Sequence, residues 1–197
     1  MTGEADTRKR RVRAAVRAQR SERSEAARDR AAVALSAHLT TLVTQAGARR
    51  ITCYLPTPGE PDPSQFLQWA LSHRIEVLLP ISQADRTLAW AYHSAAPPEV
   101  GLHGIHEPAG PRLPASAAGT ADLMLIPACA VDNSGTRLGW GLGYYDRCLA
   151  ALDPAPPVYA VVFAEEILPS LPRDPHDVPV TGAATPAGIR SFHIQTR

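Results

Sequence analysis

From Thr7 to about Gly47 the chain is rich in Ala, Arg and Glu, and Val12, Val16, Val33, Leu35, Leu39, Leu42 and Val43 lay an apolar stripe through it. That pattern predicts helix. Ser21 and Ser24 are candidate caps after a break near Arg20, Glu25 then enters a new first turn, and Gly47 is a stop signal. The expectation is a helical pair, with one long helix as the alternative. Beyond it the period changes. Ile51 to Leu55 is β-branched and apolar and runs into the turn-rich PTPGEPDP. Ser64 to His73 reads as a short helix, and Ile75 to Leu79 as a strand ended by Pro80.

Strand, helix, strand in that order predicts a parallel pair with a right-handed crossover, and ligands in such sheets sit beyond the carboxyl ends of the strands. The loop 56–63 falls there. Leu88 to His93 is a further candidate strand, and Ala95 to Gly119 is a Pro-, Gly- and Ala-rich excursion too long for a turn. Asp122 to Ile126 reads as a central strand, Tyr144 to Leu152 as helix, and Val158 to Phe163 as another buried strand. The expected fold is α/β: a single domain over 1–197, with a mostly parallel central sheet flanked by helices in a Rossmann-like, three-layer arrangement behind the helical pair. Residues 1–6 and 187–197 are expected to be peripheral tails.

Length agrees with this, because 197 residues at 45% hydrophobic content suffice for one substantial core. No stretch reaches the roughly 20 apolar residues of a membrane span, and the Arg-rich start lacks the apolar run of a secretion signal. Cys53, Cys129 and Cys148 have no metal-type spacing, so reduced thiols in the cytoplasm are expected. The net charge of +1 conceals an uneven distribution. Ten of the 20 basic residues lie between Arg8 and Arg30, against five acids in the first thirty positions. A solvated helix face is the ordinary explanation and an anionic ligand the sharper one. Lys9 is the only lysine in the chain. A compact ammonium meets phosphate as a point charge, which arginine does less well.

After the predicted strand 122–126 the chain reads PACAVDNSGTRLGWGLGYYDR, with Gly139, Gly141 and Gly143 alternating before a helix. Glycines so spaced let backbone N–H groups approach a phosphate, and the helix start adds partial positive charge. Arg137 stands at one end with a guanidinium. Asp146 at the other offers an oxygen ligand suited to a magnesium ion held by nucleotide phosphates. By itself G-x-G-x-G is a weak signal, and the segment is neither a Walker A loop nor a dinucleotide fingerprint.

The unbroken run RLGWGLGYYDR resembles the signature of the 5-formyltetrahydrofolate cyclo-ligase family. The likeness extends to Lys9 and Arg13 in a K-x-x-x-R start, to Leu55, Gly59 and Glu60, to GIHEP at 104–108 and to PHD at 175–177. The resemblance implies a soluble enzyme using ATP and Mg2+ on a reduced folate. It further implies that Lys9 and Arg13 contact ATP, and that Arg137, Leu138, Gly139, Trp140, Gly141, Leu142, Gly143, Tyr144 and Tyr145 line its phosphates. Asp146 and Asp177 would be magnesium ligands, and Leu55 and Glu60 substrate contacts. Lys9, Arg137 and Tyr145 are the implied catalytic positions. Two departures stand out: Glu165 and Glu166 occur where many members carry Gln, and PACAVD replaces PG-x-x-F-D while keeping Asp132.

No histidine is assigned a catalytic role; His176 lies in a motif but reads as a loop hydrogen-bonder. Trp69, Trp90 and Trp140 read as packing residues, although Trp140 sits inside the glycine loop. Cys129 and Cys148 flank that loop without a neighbouring base and read as inert. The alternative is a non-catalytic folate- or nucleotide-binding relative that contacts nucleic acid through its basic helix. The Arg-rich segment lacks the stacking aromatics of a single-strand binder, so nucleic acid is not expected as a partner. A monomer or weak homo-oligomer is expected.

Overall fold

The structure is a computed structural model that describes residues 2–174 and 177–192. Its elements run α1 (Thr2–Ser21), α2 (Glu25–Gln45), β1 (Arg50–Thr52), α3 (Ser64–Ser72), β2 (Glu76–Ser82), β3 (Leu88–Tyr92), β4 (Glu99–Val100) and β5 (His106–Glu107). Then follow β6 (Leu123–Pro127), β7 (Ala130–Asp132), β8 (Arg137–Leu138), α4 (Tyr144–Ala150), β9 (Val158–Val161), β10 (Ile167–Leu168), β11 (Gly182–Thr185) and β12 (Gly188–Ser191). The helical pair is present. Ser24 caps α2 by accepting from the Ala27 N–H, and Gly47 takes the left-handed conformation that ends it.

The main sheet has seven strands in the order β12-β11-β9-β6-β1-β2-β3. All neighbours from β11 to β2 are parallel, and only the edges β12 and β3 run antiparallel. Its central strands are apolar on both faces, as a doubly covered sheet requires. On β6, Leu123 and Leu125 join the core beneath α2 and α3 with Leu35, Leu39 and Phe66. Met124 and Ile126 face the opposite core with Trp90, Ala118 and Leu149 of α4. Helices therefore cover the sheet in three layers. Among the described residues no helix is long and apolar enough to cross a membrane.

Three expectations are corrected. Residues 188–191 are not tail: β12 pairs with β11 from Gly182↔Ser191 to Thr185↔Gly188. Nor are residues 2–6, which open α1. Pro80 does not end its strand, because β2 continues to Ser82 in register with β3. β1 has already stopped at that level, so the missing proline N–H deprives no β1 carbonyl of a partner.

A second, three-stranded sheet, β10-β7-β8, was not foreseen. Asp132 organises it: Oδ1 accepts from the N–H groups of Ser134 and Thr136, and Oδ2 from that of Leu171. Gly135 completes the turn at φ +84°, where an added Cβ would lie 2.6 Å from the Val180 carbonyl oxygen. Gly135→Ala is therefore expected to cost about 2 kcal/mol of stability or more, read from the urea midpoint. The packing of α1 on this small sheet, through Val12 and Val16 against Cys129, Ala130, Leu138 and Leu171, brings its basic face to the loop that follows β8.

Candidate active site

The chain leaves β1 towards β2 on one side and returns with β6 on the other, so the carboxyl ends of β1 and β6 bound a switch point. A cavity of about 610 Å3 opens there. Tyr54 and Leu55 reach it from the end of β1, Pro80 and Ser82 from β2, and Pro127 from β6. The loop 57–60 supplies Glu60, and the glycine loop supplies Gly139, Trp140, Leu142 and Gly143. Arg137, Tyr144, Tyr145 and Asp146 complete that wall. Ile105 and His106 of the GIHEP segment also line the cavity, so the long excursion covers a site rather than wandering.

Most of the implied substrate and phosphate positions thus share one cavity. Lys9, Arg13, Leu138, Gly141 and Asp177 do not line it. Leu138 is buried beneath α1, so it offers the loop only its backbone. Arg13 lies behind the loop, where Nε donates to the Gly139 carbonyl at 2.8 Å and the guanidinium fills the space beside Gly141. Lys9 is nearby on the same face of α1, with Nζ 2.7 Å from Asp174 and 3.8 Å from Asp177. Pro175 and His176 of the PHD motif lie outside the described residues.

Arg137 is buried on β8, with Nη2 donating to Asp146 Oδ1 and Nε buried without a partner. Tyr145 Oη is likewise buried and unpartnered, and burial pushes its pKa well up. Both residues line the cavity, and each keeps a buried donor with nothing to bond just behind the wall. Tyr144 is not free: its hydroxyl donates to the Gln83 carbonyl at 3.0 Å and ties the loop to the β2–β3 turn. Gly141 and Gly143 have φ of +104° and +74°, and a Cβ on Gly143 would lie 2.8 Å from Arg147 Nη1. The loop's course requires glycine there.

Glu60 is held at both oxygens, by the Thr57 N–H at 2.9 Å and by Trp140 Nε1 at 3.2 Å. The thiols match their inert reading, since burial raises Cys129 to about 12 and Cys148 to about 11. Among the described residues no group of three or more His, Cys, Asp or Glu side chains forms a metal site. Asp146 lines the cavity on Arg137, whereas Asp177 lies off it beside Lys9.

Sequence reasoning missed Arg20 and Glu166. Arg20 lines the cavity from α1 and forms a buried two-pronged pair with Glu166, Nε to Oε1 at 2.7 Å and Nη2 to Oε2 at 2.8 Å. The Gln-to-Glu departure was the available signal for one partner; nothing in the arginine pattern singled out the other.

An open α/β sheet with a glycine loop, a buried guanidinium and a carboxylate gathered in one cavity at its switch point is the arrangement of an α/β enzyme. The sequence model of the 5-formyltetrahydrofolate cyclo-ligase family matches residues 5–186, and the chain belongs to that family. It is 38% identical over 167 residues to the 5-formyltetrahydrofolate cyclo-ligase of Mycolicibacterium smegmatis, covering 82% of this chain and 85% of that one. The NMR structure of Aquifex aeolicus 5,10-methenyltetrahydrofolate synthetase superposes with a TM-score of 0.79 at 29% identity, over 96% of this chain and 95% of that one. The 5,10-methenyltetrahydrofolate synthetase of Mycoplasma pneumoniae matches with a TM-score of 0.72, over 90% of this chain and 98% of that one. At 19% identity this second likeness shows the fold alone.

Proposed function

We propose that the chain converts 5-formyltetrahydrofolate and ATP, in the presence of magnesium, to 5,10-methenyltetrahydrofolate, ADP and phosphate. The observation that carries this reading is one cavity at the sheet's switch point lined by Glu60 together with Arg137, Tyr145 and Asp146. Glu60 suits the amino and ring N–H donors of a pterin. The glycine loop, backed by Arg13, suits the nucleotide phosphates, with Lys9 one turn away on the same helix.

The chemistry is that of a poor leaving group. A formyl oxygen on N5 cannot depart as oxide at neutral pH. Transfer of the γ-phosphoryl group to that oxygen breaks the bond to ADP and turns the oxygen into part of a phosphate. N10 then attacks the formyl carbon, the C–O bond breaks, phosphate leaves with the oxygen, and the N10 proton is lost to solvent. No side-chain nucleophile takes part. Arg137 neutralises charge on the transferring group, Lys9 would do so by turning from Asp174 towards the phosphates, and Tyr145, on the same cavity wall, would offer its hydroxyl by a small movement of the ring. Magnesium, where bound, would shield the phosphate oxygens, with Asp146 and Asp177 as the side chains to hold it. Asp146 would then exchange part of its bond to Arg137 for the ion.

Free thiols at Cys53, Cys129 and Cys148 suit a reducing, cytoplasmic setting. Of the basic residues of α1, Lys9, Arg13 and Arg20 turn to partners within this chain, and no nucleic-acid role is proposed for the helix. The test mixes the purified chain with Mg-ATP and 5-formyltetrahydrofolate and follows the absorbance of the methenyl product. Release of ADP only with a different acyl substrate would overturn the reading. Lys9→Met is expected to raise the KM for ATP on the order of tenfold, by loss of one charge-assisted contact. An unchanged ATP dependence in steady-state assays would remove Lys9 from the phosphate site.

A further inference from the structure

The most buried cation of α1 has no part in the chemistry above. Arg20 is 4% exposed and its partner Glu166 is 1% exposed. Besides the two-pronged pair, Arg20 Nη2 donates to the Ala128 carbonyl at 3.0 Å, and Glu166 Oε2 also accepts from the Phe163 N–H at 2.8 Å. Burial alone would lower the Arg20 pKa, but the Glu166 hydrogen bond and charge outweigh it and the pKa is raised. The guanidinium is therefore a fixed, charged plate.

That plate lies against the glycine loop. Its centre is 5.1 Å from the centroid of the Trp140 ring, within cation–π range, and 5.8 Å from that of Phe163. Arg17 adds a second, exposed cation 5.3 Å from the same indole. Trp140 stands between Gly139 and Gly141, which supply no side chains to orient it. Its Nε1 reaches across to Glu60, 80 positions away in sequence. A Cβ added to Gly59 would lie 3.5 Å from Arg20 Cβ, so Arg20 also abuts the loop that carries Glu60.

We propose that Arg20, held by Glu166, is a positioning residue: it sets the plane of Trp140 so that the indole N–H fixes Glu60 for the folate. The inference rests on the reading of Glu60 as a folate contact. It also accounts for the carboxylate at position 166. A buried guanidinium needs a fork that accepts two bonds and cancels its charge, whereas a glutamine there accepts with one atom and leaves the charge.

The test is a double-mutant cycle on the full chain, read as KM for 5-formyltetrahydrofolate, KM for ATP and kcat. One arm is Arg20→Met with Glu166→Gln, which removes both charges and leaves neither buried alone. The other is Trp140→Phe, which keeps a ring and deletes the N–H. Each arm is expected to raise the folate KM on the order of tenfold, the loss of one hydrogen bond to a charged group, with kcat little changed. Combined, they should cost no more than either alone. A hundredfold, multiplicative rise, or an equal rise in the ATP KM, overturns the relay. Should the paired substitution fail to fold, Glu166→Gln alone serves as that arm. It is expected to raise the folate KM severalfold without adding to Trp140→Phe, and an unchanged folate KM overturns the relay. A wild-type chain that forms no methenyl product overturns the functional reading itself. Wild-type turnover with independent arms overturns only the relay.

Discussion

Arg137→Ala is expected to lower kcat on the order of a thousandfold while leaving the chain folded. The residue sits on β8, where pairing of Val131 with Arg137 and the Asp132-centred turn fix its backbone. Its side chain is 4% exposed, yet its Nε has no partner. On the proposed reading, a buried guanidinium with an unpartnered Nε behind the cavity wall is preorganised for charge that arrives only during reaction. That is the setting in which one removed donor costs most. Stability should change little by comparison, because the Asp146 side chain left behind is 44% exposed and takes water in place of Arg137. Arg137→Lys should recover only part of the rate, since one ammonium cannot both bond Asp146 and present a second planar donor. Steady-state formation of the methenyl product, beside a thermal unfolding curve for each variant, separates the two effects. A kcat within a few fold of wild type would take Arg137 out of the transition state.

The parts that could be read from sequence are those whose pattern is local and long. The helical pair carries its own caps at Ser24 and Gly47, and β6 announces a doubly covered strand through an unbroken apolar run. From the βαβ order alone the loop 56–63 fell at the carboxyl end of the sheet, which is where Glu60 lies. The small sheet was hidden because β7, β8 and β10 have only three, two and two residues, too short for any alternation to show. It is held instead by one aspartate, Asp132, whose partners are mostly backbone. The strand β12 was hidden for a related reason. Gly188, Ile189, Arg190 and Ser191 hold one strong strand former among them, and pairing with β11 supplies what propensity lacks. Within the site, Lys9 and Arg13 were legible as an i, i+4 pair, and the placement of Arg13 behind the glycine loop and of Lys9 beside Asp174, rather than on the cavity wall, follows from how α1 docks. Trp140 read as packing, and it does pack, but against guanidinium groups from α1 rather than in an apolar core. Arg20 lay among nine arginines in the first thirty positions with nothing local to distinguish it. Its meaning comes from Glu166, 146 residues away.

That distance gives the pair its largest expected effect on stability. Arg20 belongs to the helix that carries Lys9 and Arg13, and Glu166 follows β9, an internal strand of the sheet, so the fork ties the N-terminal helix to the body of the fold. Glu166→Ala would leave the Arg20 guanidinium buried against Ala128, Trp140 and Phe163 without a counter-charge, and the Phe163 N–H without an acceptor. Breaking one side of a buried pair costs about 3–5 kcal/mol. For a chain of this length that corresponds to a fall in Tm of roughly 6–20 °C. Removing both charges is a different matter. Arg20→Met with Glu166→Gln restores neutrality and fills the space with a flexible apolar side chain, so most of the lost stability should return. Calorimetry on the two variants and wild type decides the matter, because a simple loss of contacts would make the paired substitution the less stable of the two. A Tm for Glu166→Ala within about 2 °C of wild type, well short of that penalty, would mean that the apolar seam of Val12 and Val16, and not the fork, holds α1 in place.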